Sequence, residues 1–96
     1  MTAYVVMIRE RMRDEEAFTR YGKLAREARG EHDLTPLAFY GPVETLEGAA
    51  VDGAVILSFP DMAAARAWYD SPAYAQARKH RFAGADYRVM LVEGLA

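Results

Sequence analysis

The hydrophobic pattern of this chain changes its period six times within 96 residues. So many switches between two-residue and helical spacing, in so short a chain, confine it to one layer of strands and one of helices around a single core. Tyr4 to Arg11 begins β-rich and becomes alternating, with Met7, Arg9 and Arg11 opposite Ile8 and Glu10, which predicts a strand. Asp14 then offers an N-cap, and Glu15 and Glu16 stand in the first turn, where they favour the helix dipole. Ala17, Phe18, Tyr21, Leu24, Ala25 and Ala28 recur at helical spacing within an arc of about 120°. Gly30 sits where a helix-ending glycine belongs.

Leu34 to Leu46 is broken by Pro36, Gly41 and Pro42. Proline has no N–H for a ladder, so this stretch predicts an edge strand or a bulged pair of short strands. Ala54 to Phe59 is a short apolar run that predicts a buried central strand, and Asp61 caps a second helix after Pro60. In that helix Met62, Ala64, Ala65, Trp68 and Tyr69 face inward, while Ala63, Arg66 and Asp70 face water. Ser71-Pro72 restarts it as a third helical piece reaching about Ala83, because serine caps well and proline suits the first helical position. Tyr87 to Glu93 reads as the last strand.

The order is β-α-β-β-α-β with a broken second helix, an α+β, ferredoxin-like pattern over residues 1–96 as one domain. Right-handed crossovers then give a four-stranded antiparallel sheet with helices on one face. The strand residues Val5, Met7, Val55, Leu57, Val89 and Leu91 belong to runs that place apolar side chains on both faces in either register. An exposed apolar face of that size calls for a partner, and a homodimer packed sheet on sheet is the simplest one.

Composition removes several functions. There are no cysteines, which excludes disulfides, thiolate metal sites and cysteine nucleophiles. A net charge of −2 argues against a nucleic-acid partner, and no apolar run approaches the ~18 residues of a membrane span. Arg9, Glu10, Arg11 and Arg13 interrupt the apolar N-terminal stretch, so no signal peptide and a cytoplasmic location are expected. The series Arg9, Arg11 and Arg13 is expected to be one solvated strand face. No nucleotide-binding glycine loop and no GxSxG occurs, and the two histidines, His32 and His80, form no metal motif; no cofactor and no metal are expected.

The stretch Phe59-Pro60-Asp61-Met62-Ala63-Ala64-Ala65-Arg66-Ala67-Trp68-Tyr69-Asp70-Ser71-Pro72-Ala73-Tyr74 resembles the signature of a bacterial family catalogued as domain of unknown function 1330. Val43-Glu44-Thr45-Leu46-Glu47-Gly48 and Leu91-Val92-Glu93-Gly94 resemble its other recurrent segments. The resemblance spans the chain and implies a ferredoxin-like monomer in a dimeric α/β barrel. Its superfamily includes cofactor-free monooxygenases, muconolactone isomerases and haem-dependent chlorite dismutases, so it implies no single reaction. Where many members carry Gly-Gly pairs, this chain has Asp33-Leu34 and Tyr40-Gly41.

The aromatic set is the main candidate site. Tyr21, Trp68, Tyr69 and Tyr74 come from helices facing one sheet, and Tyr40 stands where it can join them. They are either core filling or the walls of a pocket for a small aromatic or acidic ligand. A cavity above about 300 Å³ beside Trp68 and Tyr69 would favour the pocket. Tyr74, Arg78 and Arg81 share a helical face, so two guanidiniums flank a phenol and suit a carboxylate. The alternative is pairing of these arginines with Glu44, Glu47 or Glu93. The resemblance places a common family arginine at Arg81. A tyrosine, His80 or Glu47 are the acid–base candidates if the protein is an enzyme. Two functions follow: a cofactor-free small-molecule protein with oxygenase-like or isomerase-like chemistry, or a non-enzymatic binding or assembly module.

Overall fold

Three antiparallel pairings organise the chain. In the computed structural model, which describes residues 1–95, the elements run β1 (Ala3–Met12), α1 (Glu15–Arg29), β2 (Thr35–Phe39), β3 (Gly53–Phe59), α2 (Met62–Tyr69), α3 (Pro72–Gly84) and β4 (Ala85–Glu93). β1 pairs with both β3 and β4, and β2 joins the outer edge of β3, giving the sheet order β2-β3-β1-β4. This is the ferredoxin-like α+β arrangement, with the second helix broken into α2 and α3.

Register decides the core. Val5 lies opposite Leu57 and Leu91, and Met7 opposite Val55 and Val89, so one face presents a continuous apolar row to the helices. Ala3, Val5, Met7, Val55, Leu57 and Phe59 are buried there beneath Tyr21, Ala28, Ala65, Trp68, Tyr74 and Ala77. Val6, Ile8, Ala54 and Ile56 occupy the opposite face with Met90 and Val92, and those last two are exposed. That face has no covering element among the described residues.

Local chemistry accounts for the helix ends. Asp14 accepts hydrogen bonds from the Glu16 and Ala17 amides, Asp61 from Ala64, and the Ser71 hydroxyl from Tyr74. At the break, the Ser71 hydroxyl donates to the Trp68 carbonyl and Arg78 Nη1 to the Tyr69 carbonyl, each at 2.8 Å. These bonds satisfy acceptors that a helix end otherwise leaves open.

One expectation is narrowed to its first alternative and one needs correction. The stretch from Leu34 to Leu46 yields one short edge strand that slips register between Pro36 and Ala38; Gly41 to Asp52 forms no strand. The prolines interrupt the ladder, as their missing N–H requires. Nor do Arg9, Arg11 and Arg13 share a solvated face. Glu10 is bulged out between the Arg9–Tyr87 and Arg11–Asp86 pairs. Arg9, in phase with Val5 and Met7, lies under the helices, its side chain only 14% exposed and its Nε 3.2 Å from Asp52, while the bulge turns Arg11 outward, where it and Arg13 bind Asp86.

Gly84 ends α3 in close contact with the start of α1. Its carbonyl accepts from the Arg13 and Asp14 amides, and a Cβ there would lie 2.9 Å from the Phe18 amide nitrogen. Backbone atoms cannot swing aside as a side-chain tip can, so α1 and α3 would have to separate. Gly84→Ala should lower stability by about 1–3 kcal/mol, the usual cost of overpacking. Urea denaturation will measure it; an unchanged midpoint would mean the contact is looser than its geometry.

Candidate functional site

α1 packs along α3 and leaves space between its inner face and the β2–β3 end of the sheet. The result is a cavity of about 370 Å³. Met7, Val55 and Leu57 make its sheet wall, Phe18, Tyr21 and Ala25 its α1 wall, and Pro36, Phe39 and Tyr40 the side toward the edge strand. Trp68 and Tyr74 close the inner end. Arg26 and Arg29, on the last turns of α1, stand at its rim, where a helix C-terminus favours cations.

The inner end is polar in one place. The hydroxyls of Tyr21 and Tyr74 lie 2.8 Å apart, and Arg81 Nη1 donates to Tyr74 Oη at 3.2 Å. Arg81 is 2% exposed, yet among the described residues no carboxylate reaches it and its Nε has no hydrogen-bond partner. The pairing of Arg81 with Glu47 or Glu93 weighed from the sequence does not form. Instead aromatic rings surround the guanidinium, with the Phe82 and Tyr87 centroids each 5.2 Å away.

A second phenol pair lies alongside. Tyr40 and Tyr87 hydrogen-bond through their hydroxyls, and Arg9 stacks over both Phe18 and Tyr40 at 5.0 and 4.8 Å. Tyr40 holds a left-handed backbone, φ 54°, which a bulky residue adopts only when fixed from several sides. Its amide donates to the Ala54 carbonyl, and its ring covers Gly53, where a Cβ would come within 2.9 Å of Cδ1.

Of the residues singled out from the sequence, Tyr21, Tyr40, Trp68 and Tyr74 line the main cavity. Arg81 stands behind Tyr74 rather than in the wall. Tyr69 lines a smaller cleft of about 240 Å³ between α2 and β4, with Arg78 4.3 Å over its ring. Glu47 lies on the exposed Gly41–Asp52 segment and His80 is half-buried on α3; neither lines either space. Arg9, Phe18 and Tyr87 were missed. A parity signal existed: Arg9 continues the inward row Ala3, Val5, Met7, and Tyr87 the row Val89, Leu91.

Burial pushes the Tyr21 phenol up to about 12, against the lowering influence of Tyr74 and Arg81. It also raises Tyr74, Tyr40 and Tyr87, with the neighbouring Tyr21 adding to the rise at Tyr74 and Tyr87 to that at Tyr40. All four are neutral phenols at pH 7. Burial alone opposes the Arg81 charge, but the oxygens of Tyr74, Tyr21 and Tyr69 outweigh it and its pKa is raised. The inner end is thus a cation facing neutral oxygens.

Two measurements check this geometry. Trp68, buried with its ring centroid 4.2 Å from that of Tyr74, should cost about 3–5 kcal/mol when replaced by alanine. An unmoved urea midpoint would place the ring in water. Above pH 10, where unfolded tyrosine loses its proton, the folded phenols keep theirs. The unfolded state then binds fewer protons, so stability must fall as pH rises. Tyr21→Phe should flatten that alkaline loss; an identical slope would mean the phenol titrates normally.

Comparison with known proteins is consistent with this architecture. The family model described as a domain of unknown function, DUF1330, matches residues 2–95. No curated protein matches the sequence. A protein of unknown function from Rhodopseudomonas palustris superposes with a TM-score of 0.73 at 20% identity, over 99% of this chain and 83% of its own. A dimeric ferredoxin-like protein of unknown function from Jannaschia follows at 0.64 and 20%, over 98% and 100%. SnoaB, a cofactor-independent oxygenase from Streptomyces nogalater, is similar at 0.57 and 14%, over 99% and 93%. At such identities the likeness is one of fold.

Proposed function

Since the chain belongs to the DUF1330 family, described only as a domain of unknown function, we propose that it is a homodimeric α/β-barrel protein that binds a small aromatic or organic-acid molecule without a cofactor. The observation that carries this reading is the 370 Å³ cavity, apolar along its walls and ending at the Tyr21–Tyr74 pair backed by Arg81. Apolar walls with a few convergent polar groups are the usual form of a small-molecule site. The volume falls within the range of small-molecule sites. Its aromatic lining suits a planar body. The Arg81 charge behind Tyr74, and Arg26 and Arg29 at the rim, suit an acidic group.

The bare sheet face supports the dimer. Val6, Ile8, Ile56, Met90 and Val92 form an apolar surface on a sheet whose neighbours include proteins described as dimeric. Packing that face on a second copy removes it from water and closes two sheets into one barrel-like core. If chemistry occurs, the groups at hand in the cavity are phenols, which can hold or donate a proton to a bound oxygen.

Thermal-shift screening against aromatic and organic acids should raise the melting temperature, because a ligand that binds only the folded state stabilises it by mass action. No shift across both classes would overturn the binding reading. Light scattering at micromolar concentration should give about twice the chain mass of 10.7 kDa. A persistent monomer would overturn the barrel.

A further inference from the structure

We propose that Arg81, Tyr74 and Tyr21 form a directional hydrogen-bond relay that ends in a donor facing the cavity, so that the ligand presents an anionic oxygen of the phenolate, enolate or carboxylate kind to Tyr21. This rests on the binding reading above and adds the polarity of its inner end. The direction follows from counting donors. A guanidinium only donates, and Arg81 Nη1 donates to Tyr74 Oη. The Tyr74 proton then needs an acceptor; Tyr74 is fully buried, and the oxygen beside it is that of Tyr21, 2.8 Å away. Leaving that proton unpaired in the core would cost about as much as a lost hydrogen bond. Tyr74 therefore donates to Tyr21, and the Tyr21 proton is left without a protein acceptor among the described residues. Arg81 Nε lacks a hydrogen-bond partner, as does Arg9 Nε, so what sets the two apart is the carboxylate beside Arg9. The cluster has more donors than acceptors and carries one positive charge.

The comparison within the same molecule is Arg9. It too stands beside a phenol pair, Tyr40 and Tyr87, but Asp52 answers its charge at 3.2 Å. Among the described residues Arg81 has no such carboxylate. Of the two arginine–phenol groups, only the one at the cavity's inner end calls for an anion from outside. Tyr21 is the ligand-touching residue, and Arg81 is a positioning residue that acts through Tyr74.

Para-nitrophenol and nitrobenzene test this, because they share a ring while only the first carries an ionisable oxygen whose colour reports its state. The relay should bind the nitrophenolate form in preference, lowering the apparent pKa of the bound probe. Tyr21→Phe should weaken nitrophenolate binding roughly 10- to 100-fold, the range for a hydrogen bond to a charged group, and leave nitrobenzene within about twofold. Tyr74→Phe should restore the probe's ordinary pKa with nitrobenzene binding kept. Arg81→Lys, which keeps the charge but not the planar fork, should raise the bound probe's pKa without altering nitrobenzene affinity. If it weakens both probes equally, Arg81 is only a packing residue and the relay is wrong. Equal binding of both probes by the wild type, or an unchanged preference in Tyr21→Phe, would also overturn it. Should neither probe bind the wild type, the binding reading itself fails, and the relay with it.

Discussion

An ionised guanidinium removed from water carries a desolvation cost of several kcal/mol unless an opposite charge or a full set of acceptors compensates it. Arg81 has neither. It is held on α3 by aromatic rings and by one phenol oxygen, in a layer whose other hydroxyls are neutral. The aromatic layer around it is organised by that fact. Tyr74 orients toward the charge, Tyr21 toward Tyr74, and the cavity opens beyond Tyr21.

The broken helix makes that layer possible. A continuous helix from Met62 to Gly84 would carry Trp68 and Tyr74 at different angles around one axis. The capped break at Ser71 turns the chain, bringing the two rings within 4.2 Å and returning Arg78 to the carbonyl that ends α2. Gly84 then lets α3 meet α1 backbone to backbone, which fixes where Tyr21 stands opposite Tyr74. Cap, break and close approach are local features with a common consequence: two phenols from separate helices meet at hydrogen-bonding distance.

The sheet divides its labour between faces. One face gives the cavity its apolar floor through Met7, Val55 and Leu57, and the other presents Val6, Ile56 and Met90 away from the helices. The bulge at Glu10 turns Arg11 outward, while Arg9 just before it continues the inward row of β1 and lies under the helices. There it stacks on Phe18 and Tyr40, answers Asp52, and helps keep Tyr40 in its left-handed conformation at the cavity edge.

By itself the sequence determined the order of elements, the caps at Asp14, Asp61 and Ser71, the inward stripes of the first two helices and the edge character of the Pro36 strand. These depend on periodicity and on residues within four positions of one another, which are local quantities. It also pointed to Tyr21, Tyr40, Trp68 and Tyr74, because aromatics on inward stripes must meet somewhere in so small a core. The tertiary structure alone decided the rest. Whether Arg81 would find Glu47 or Glu93, or remain without a carboxylate, depends on how segments far apart in the chain come to lie. Alternation alone puts Arg9 and Arg11 on one face; a one-residue bulge between β1 and β4 turns Arg11 outward and leaves Arg9 inward with Met7, and that slip is set by pairing with a strand some 75 residues away. The cavity itself is a difference between where α1 rests on α3 and where it would rest on the sheet, a distance that no local pattern encodes.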